Sequence, residues 1–304
     1  MSEPIYPPPE QVRDLVPGRD SVTWDRAGDA RGFLSAGYAL ILQVSHPTVG
    51  AGVGEHSDFK SDPWGRLFRT LDFVNVTLYG GPEAAADMCR RVREMHKRIK
   101  GTKPDGSRYH ALEPEAYAWV HATLGEAIVS GHNHFGRPFS DEDMRQFWPE
   151  WRGIGRLLGV RERDLPEDWD GFRGYFDRMV EERLEDTQTT RDVLESLAKP
   201  TPPPLSGIAG RAARIAGIPA ARYSSLATIG QLPPVLRERL GIRWTKPKQA
   251  EFRALGRASR SATPLMPASL RNMGPSYLRW RRKQIARGDA TAGRDSRAPA
   301  AQAA

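Results

Sequence analysis

The sequence has 304 residues, 39% of them hydrophobic and eight of them Trp. That is enough apolar side chain for one large domain or two small ones, and too much for a wholly disordered chain. Its one cysteine, Cys89, excludes an intramolecular disulfide, a cysteine-rich zinc site and an iron–sulfur cluster, and it fits a reducing compartment. The net charge of +8 is unevenly placed: from Lys246 onward stand 13 basic and 3 acidic residues, so the chain before that point is near neutral.

Residues 1–20 are proline-rich and are expected to be irregular. They do not join a basic start to an apolar run, so no signal peptide is expected and the location reads as cytoplasmic. No stretch approaches about 18 apolar residues, so no membrane span is expected. A helix is predicted from about Gly28, ending at Ser45-His46-Pro47 because the residue before proline avoids the helical region. The following GAGVGEHSDF has no strand pattern before it, so Gly50, Gly52 and Gly54 read as close-packing positions and not as a nucleotide loop.

Trp64 to Gly101 predicts two helices joined at Gly80-Gly81-Pro82. The first opens behind Ser61-Asp62-Pro63. It carries Arg66, Arg69 and Thr70 at i, i+3, i+4, and an apolar stripe of Leu67, Leu71, Val74 and Leu78. The second carries Arg93 and His96 one turn apart. A turn is expected at TKPDGSRYHALEP. A long helix then runs from about Glu113 to Ser130, and Gly131 to Gly136 breaks it. His132 and His134 would thus lie in a loop, in a turn role before a metal-binding one. His121, beside Trp119, reads as a buried, hydrogen-bonded histidine.

Ser140-Asp141-Glu142-Asp143 caps a helix that runs to about Leu158, with Gly159 behind it. Further helices are expected near Trp169–Leu184 and Thr189–Leu197. A proline break at 200–204 is followed by packing positions Ile208, Ile215, Ile218 and Leu226. A short helix ends at Gly241, a basic helix spans about Ser269–Ile285, and a disordered tail starts near Gly288. Period-two patterns are nearly absent. The expectation is an all-α, single helical domain over 21–245, behind an irregular 1–20 and ahead of an extended basic segment, 246–304.

The seven histidines form no HExxH pair, and there is no Gly-x-Ser-x-Gly elbow, P-loop or paired-carboxylate signature. Residue chemistry alone reaches a helical protein that could enclose an anionic or metal-bearing ligand, since imidazole is a common metal ligand and arginine suits carboxylates. A solvated face is the competing reading of the same residues.

Three motifs in order, Arg66-x-x-Arg69-Thr70, Arg93-x-x-His96 and Trp119-Val120-His121-Ala122-Thr123-Leu124, resemble the MpaB-like family, the superfamily of latex-clearing proteins (rubber oxygenases), over about residues 28–240. Leu158-Gly159-Val160, Asp164-Leu165-Pro166 and Leu232-Pro233 fit it too. The resemblance implies a helical fold with a globin-like centre and one non-covalent haem b, its iron held by His96. It places Arg93 and Thr123 around the cofactor, Arg93 toward a propionate, and Arg66, Arg69 and Thr70 across from His96 as the catalytic face. It also implies dioxygen activation and oxidative attack on a small apolar substrate (an alkene, isoprenoid or lipid-like compound), with an unknown electron donor if any.

The rubber-cleaving branch has a lysine where Arg69 stands. Arginine keeps its proton and is a poor iron ligand, so an open or water-filled distal position is expected. Glu55 or His56 stands in the region of that branch's distal base. Two other readings stay open. One is a haem- or ligand-binding protein without turnover. The other is an adaptor working through its basic C-terminal segment, for which an anionic membrane is expected over nucleic acid.

Overall fold

Proline sets the start of many of the helices, because its fixed φ suits the first turn and its missing N–H would be unpaired there anyway. In the computed structural model, whose described residues are 6–198 and 222–286, this holds for α1 (Pro9–Leu15), α4 (Pro47–His56), α5 (Pro63–Tyr79), α6 (Pro82–His96), α7 (Pro114–Phe135) and α12 (Pro234–Arg239). Side-chain caps start others. Ser21 accepts from Trp24 N at the head of α2 (Val22–Ala27), and Asp168 accepts from Gly171 N at the head of α9 (Trp169–Arg178). Ser140 and Asp143 form a reciprocal capping box on α8 (Asp141–Leu157). The remaining helices are α3 (Phe33–Val44), α10 (Gln188–Ala198), α11 (222–231), α13 (Lys246–Ser261), α14 (Ala268–Arg271) and α15 (Gly274–Ala286). The chain is an all-α, single helical domain, as expected.

The centre is the pair α3 and α7. Ile41, Leu42 and Val44 of α3 and Ala118, Trp119 and Ala122 of α7 are fully buried, and the Trp119 indole donates to Leu42 O at 2.9 Å. Each such aliphatic or aromatic side chain contributes about 1.5–3 kcal/mol on burial. α8 closes on α7 through a reciprocal pair. The Trp151 indole donates to His121 O at 3.0 Å and His121 Nε2 donates to Trp151 O at 2.9 Å, with the rings stacked 5.1 Å apart. A Cβ on Gly125 would lie 2.6 Å from that indole nitrogen, so only glycine admits it. His121 is therefore the buried, hydrogen-bonded histidine expected from its place in the sequence.

Several expectations are corrected. Residues 1–20 are not wholly irregular: Pro9 seeds α1, whose Val12 is buried against the core. TKPDGSRYHALEP is a short antiparallel hairpin, β1 (Lys100–Thr102) with β2 (Arg108–His110), turned at Gly106 with φ +84°. α7 does not break at Gly131 but runs to Phe135. A Cβ at Gly131 would sit 2.7 Å from Ser35 Oγ, so that glycine serves helix packing, and Gly136 is the residue that ends the helix. His132 and His134 are thus helical. α9 gives way to a π turn at Met179–Arg183. The basic C-terminal helices are not an extended arm: α13 packs on α7 and α15 on α5. The Arg281–Asp72 ion pair at 2.6 Å and the Tyr277 hydroxyl donating to Asp72 at 2.7 Å fix α15 there. Ile208, Ile215, Ile218 and the tail after Gly288 lie outside the described residues.

Candidate functional site

α5 and α6 form an antiparallel hairpin whose apolar faces are fully buried near the turn and only half-buried toward the far end, where α15 packs on α5. On α5 the stripe Leu67, Leu71, Val74, Leu78 is fully buried only at Leu78, 1% exposed; the other three are half-buried. On α6 the face Ala85, Cys89, Val92, His96 behaves alike. Ala85 and Cys89 are fully buried, Cys89 against Thr77, while Val92 and His96 are half-buried. At about 1.5 Å per residue, Arg66 and His96 each stand about 20 Å from the turn, level with one another at the half-buried end.

Among the described residues the close neighbours of this hairpin are α1, α2, α8 and α15, not the central α3, α4 and α7. Facing helix α7 is buried almost throughout, yet Tyr117, Val120, Leu124 and Ile128, one stripe at helical spacing, are half-buried. Three apolar stripes are thus left half-buried, most of their members packed against the core on one side, and we read the space that their other sides border as a slot.

His96 sits at the mouth of the slot. Its Nδ1 lies 2.7 Å from Val92 O, one turn back. A carbonyl only accepts, so Nδ1 carries the proton and Nε2 keeps its lone pair. Among the described residues nothing bonds Nε2. Burial holds the ring's pKa below its ordinary value, which keeps the imidazole neutral at neutral pH. The ring meets Tyr117 edge-on at 5.8 Å.

Arg93 is held by the chain itself. Its Nη1 donates to Gly159 O at 3.2 Å, the guanidinium lies 5.5 Å from the Tyr117 ring, and the buried Nε has no hydrogen-bond partner among the described residues. Tyr117, whose hydroxyl donates to Leu158 O, therefore joins His96, Arg93 and the turn at Gly159. That residue was missed in the sequence; its place two residues before Trp119 was the only signal.

Arg66, Arg69 and Thr70 share α5 but not an environment. Arg69 donates to Asp58 at 2.6 Å and lies 3.7 Å from Asp62. Thr70 is exposed, and its hydroxyl donates to Arg66 O at 3.1 Å. The half-buried Arg66 guanidinium has no ion pair or hydrogen bond among the described residues; burial, then the like charge of Arg69, lowers its pKa. Thr123 is fully buried on the α3 side, donating to Val120 O at 2.9 Å and accepting from Gln43 at 3.1 Å. Glu55 accepts from the Tyr109 hydroxyl at 2.6 Å and His56 donates to Lys100 O at 3.2 Å, so both are engaged by the β hairpin.

Residues 24–261 match the family described as ER-bound oxygenase mpaB/B'/Rubber oxygenase, catalytic domain. The chain belongs to this family. All the helices that border the slot lie inside the matched span, and so does α13, which the sequence had set apart at Lys246. The mpaB/rubber oxygenase family is one of oxygenases, so the coarse chemistry of the chain is that of an oxygenase-type catalytic domain. "Uncharacterized protein Mb2261" of Mycobacterium bovis and "Uncharacterized protein Rv2237" of Mycobacterium tuberculosis are each 26% identical to it over 234 residues, 75% of this chain and 87% of the relative. No solved structure matches the chain. No helix among the described residues is long and apolar enough to cross a membrane.

Proposed function

We propose that this mpaB/rubber oxygenase-family chain is a haem b-dependent oxygenase acting on a small apolar substrate, and that His96 would hold the iron. The observation that carries this is the state of His96. Its Nδ1–H is fixed on Val92 O and its Nε2 lone pair has no partner among the described residues, in a half-buried ring beside half-buried apolar stripes. Orientation of a ligating imidazole by a backbone carbonyl on its other nitrogen is the usual supporting arrangement for a metal-bound histidine. Among the described residues no group of three metal-ligating side chains competes with it. These residues fit a cofactor held by one histidine and apolar walls.

When bound, haem iron supplies the activation of dioxygen. The chain supplies the rest. Val92 O keeps the proton on Nδ1, which leaves Nε2 as the donor atom for iron. Leu67, Leu71, Val74, Leu124 and Ile128 exclude water and receive an apolar substrate. Arg66, without an ion pair among the described residues, suits a carboxylate such as a propionate; Arg93, already bonded to Gly159 O, keeps a buried Nε without a partner there. Arg69, paired with Asp58, would not serve as an iron ligand, because a guanidinium is a poor one. A cytoplasmic location fits the single, buried thiol.

The test is a visible spectrum and pyridine haemochrome assay on protein expressed with haem precursor. About one b-type haem per chain is expected, lost in His96→Ala while far-ultraviolet circular dichroism is kept. Full haem occupancy and an unchanged spectrum in His96→Ala would end the assignment.

A further inference from the structure

A row of aromatic rings crosses from α5 to α15. Trp64 and Phe68, one turn apart on α5, have ring centres 6.5 Å apart, and Trp280 of α15 lies 6.0 Å from Phe68 and 5.6 Å from Tyr277. Tyr277 is buried and its hydroxyl is held by Asp72, so the row is fixed at its inner end. Trp280 is 41% exposed and Trp64 and Phe68 are half-buried, so the outer rings keep apolar surface in water. Two exposed leucines, Leu265 at 86% and Leu270 at 43%, stand in the connection that leads into α15. Single exposed apolar residues are ordinary, but rings in mutual contact form one continuous patch.

The charge around the row is of one sign. α5 and α15 together carry six basic residues, Arg66, Arg69, Arg279, Arg281, Arg282 and Lys283, and one acid, Asp72, which Arg281 neutralises. Asp58 and Asp62, before α5, are taken up by Arg69. No acidic residue occurs from Phe252 to Ala286. Arg279, Arg282 and Lys283 are exposed to either side of Trp280 along α15 and make no ion pair among the described residues. Aromatic rings set among such cations fit a partner that is anionic at its face and apolar beneath, which is the character of a membrane carrying anionic lipid. A nucleic acid shares the charge but is held by ring faces on which bases stack. Here the rings pack on one another, tilted by 34° to 38°, and the exposed leucines have no face to stack. No described helix could span a bilayer, so the contact is with its surface.

We propose that the α5–α15 face docks on an anionic lipid surface, with Trp64, Phe68 and Trp280 at the headgroup level and Arg279, Arg282 and Lys283 on the lipid phosphates and carboxylates. The contact needs no cofactor and stands apart from the haem reading. The full chain is sedimented with sucrose-loaded vesicles of phosphatidylcholine containing about 30% phosphatidylserine, and with vesicles of phosphatidylcholine alone, at about 0.1 M salt. Binding to the mixed vesicles is expected, at least about tenfold weaker to the zwitterionic ones and weaker as salt rises.

Trp280→Ala should weaken binding to the mixed vesicles at least about threefold, and Arg282→Glu combined with Lys283→Glu at least about tenfold. The charge variant changes only exposed side chains, so it serves should Trp280→Ala loosen α15; circular dichroism checks the fold of both. No binding to the mixed vesicles, or equal binding to the zwitterionic ones, would overturn the proposal. So would undiminished binding by either folded variant. A chain that binds single-stranded DNA but not the mixed vesicles would overturn it in favour of a nucleic-acid partner.

Discussion

Arg66 and Arg69 stand one turn apart on one helix and keep opposite company. Arg69 forms an exposed pair with Asp58, the kind worth under about 1 kcal/mol. Arg66 is half-buried with no ion pair or hydrogen bond among the described residues, and the more distant Asp58 offsets only part of the desolvation cost, which a bound carboxylate would relieve. Under the haem reading, Arg66→Gln should weaken hemin binding about tenfold, some 1.4 kcal/mol, and Arg69→Gln should change it less than threefold. Hemin titration followed at the Soret band decides this, and equal effects would remove the distinction. The i, i+3 spacing was legible in the sequence, but the difference in partners was not. Asp58 lies in the connection before α5, and nothing in the order of residues says which arginine it reaches.

At the scale of elements, the α5–α6 hairpin is tight at Gly80-Gly81-Pro82 because Gly81 takes φ +93° and Pro82 begins the next helix at once. Toward its far end, where His96 and Arg93 meet Tyr117 of α7, the apolar stripes are only half-buried. Leu71→Trp, which fills the slot, should leave the melting temperature within a few degrees and abolish hemin uptake. Normal uptake by the folded variant would show that the slot is not where the cofactor goes. A cap gives a simpler check: Ser140→Ala removes one half of the α8 capping box and should cost about 1 kcal/mol in urea unfolding, without touching the slot. The extension of α7 through Gly131 shows how an element boundary escaped the sequence. The cluster Gly131-His132-Asn133-His134-Phe135-Gly136 has the composition of a loop, yet contact with Ser35 of α3 requires a glycine within the helix.

For the whole molecule, two buried titratable groups set how stability varies with pH. Burial brings the His121 imidazole down to about 4, so the folded state stays neutral while the unfolded chain takes up a proton below about 6.5; its contribution is lost as pH falls from about 6.5 toward 4. Burial pushes the Glu126 carboxyl up to about 7, against the pull of Arg173 at 3.1 Å, with the Tyr38 hydroxyl donating to it at 3.2 Å. The unfolded carboxyl ionises near 4.5 and the folded one near 7, so its contribution is present at low pH and is lost as pH rises through that window. Glu126→Gln should therefore lose less stability than the wild type between pH 5 and pH 8, by up to about 3 kcal/mol, in urea unfolding at each pH. Parallel profiles for the two proteins would show that Glu126 does not titrate in this way.

The sequence by itself determined the all-α class, most helix starts, the apolar stripes and the ordered motifs that mark the family. Those features arise from forces that act within a turn or two: the fixed φ of proline, a cap oxygen on a nearby N–H, and the 3.6-residue repeat of side chains. Even the Val92–His96 bond is of this local kind. Only the tertiary structure decided which ends of the stripes are half-buried, that Tyr117 gathers His96 and Arg93, that Arg66 lacks the partner Arg69 has, that the basic C-terminal helices fold back on α5 and α7, and that Trp280 joins the rings of Trp64 and Phe68. Each of these depends on groups brought together from distant parts of the chain. Such contacts are set by how helix faces pack, which the local pattern does not encode.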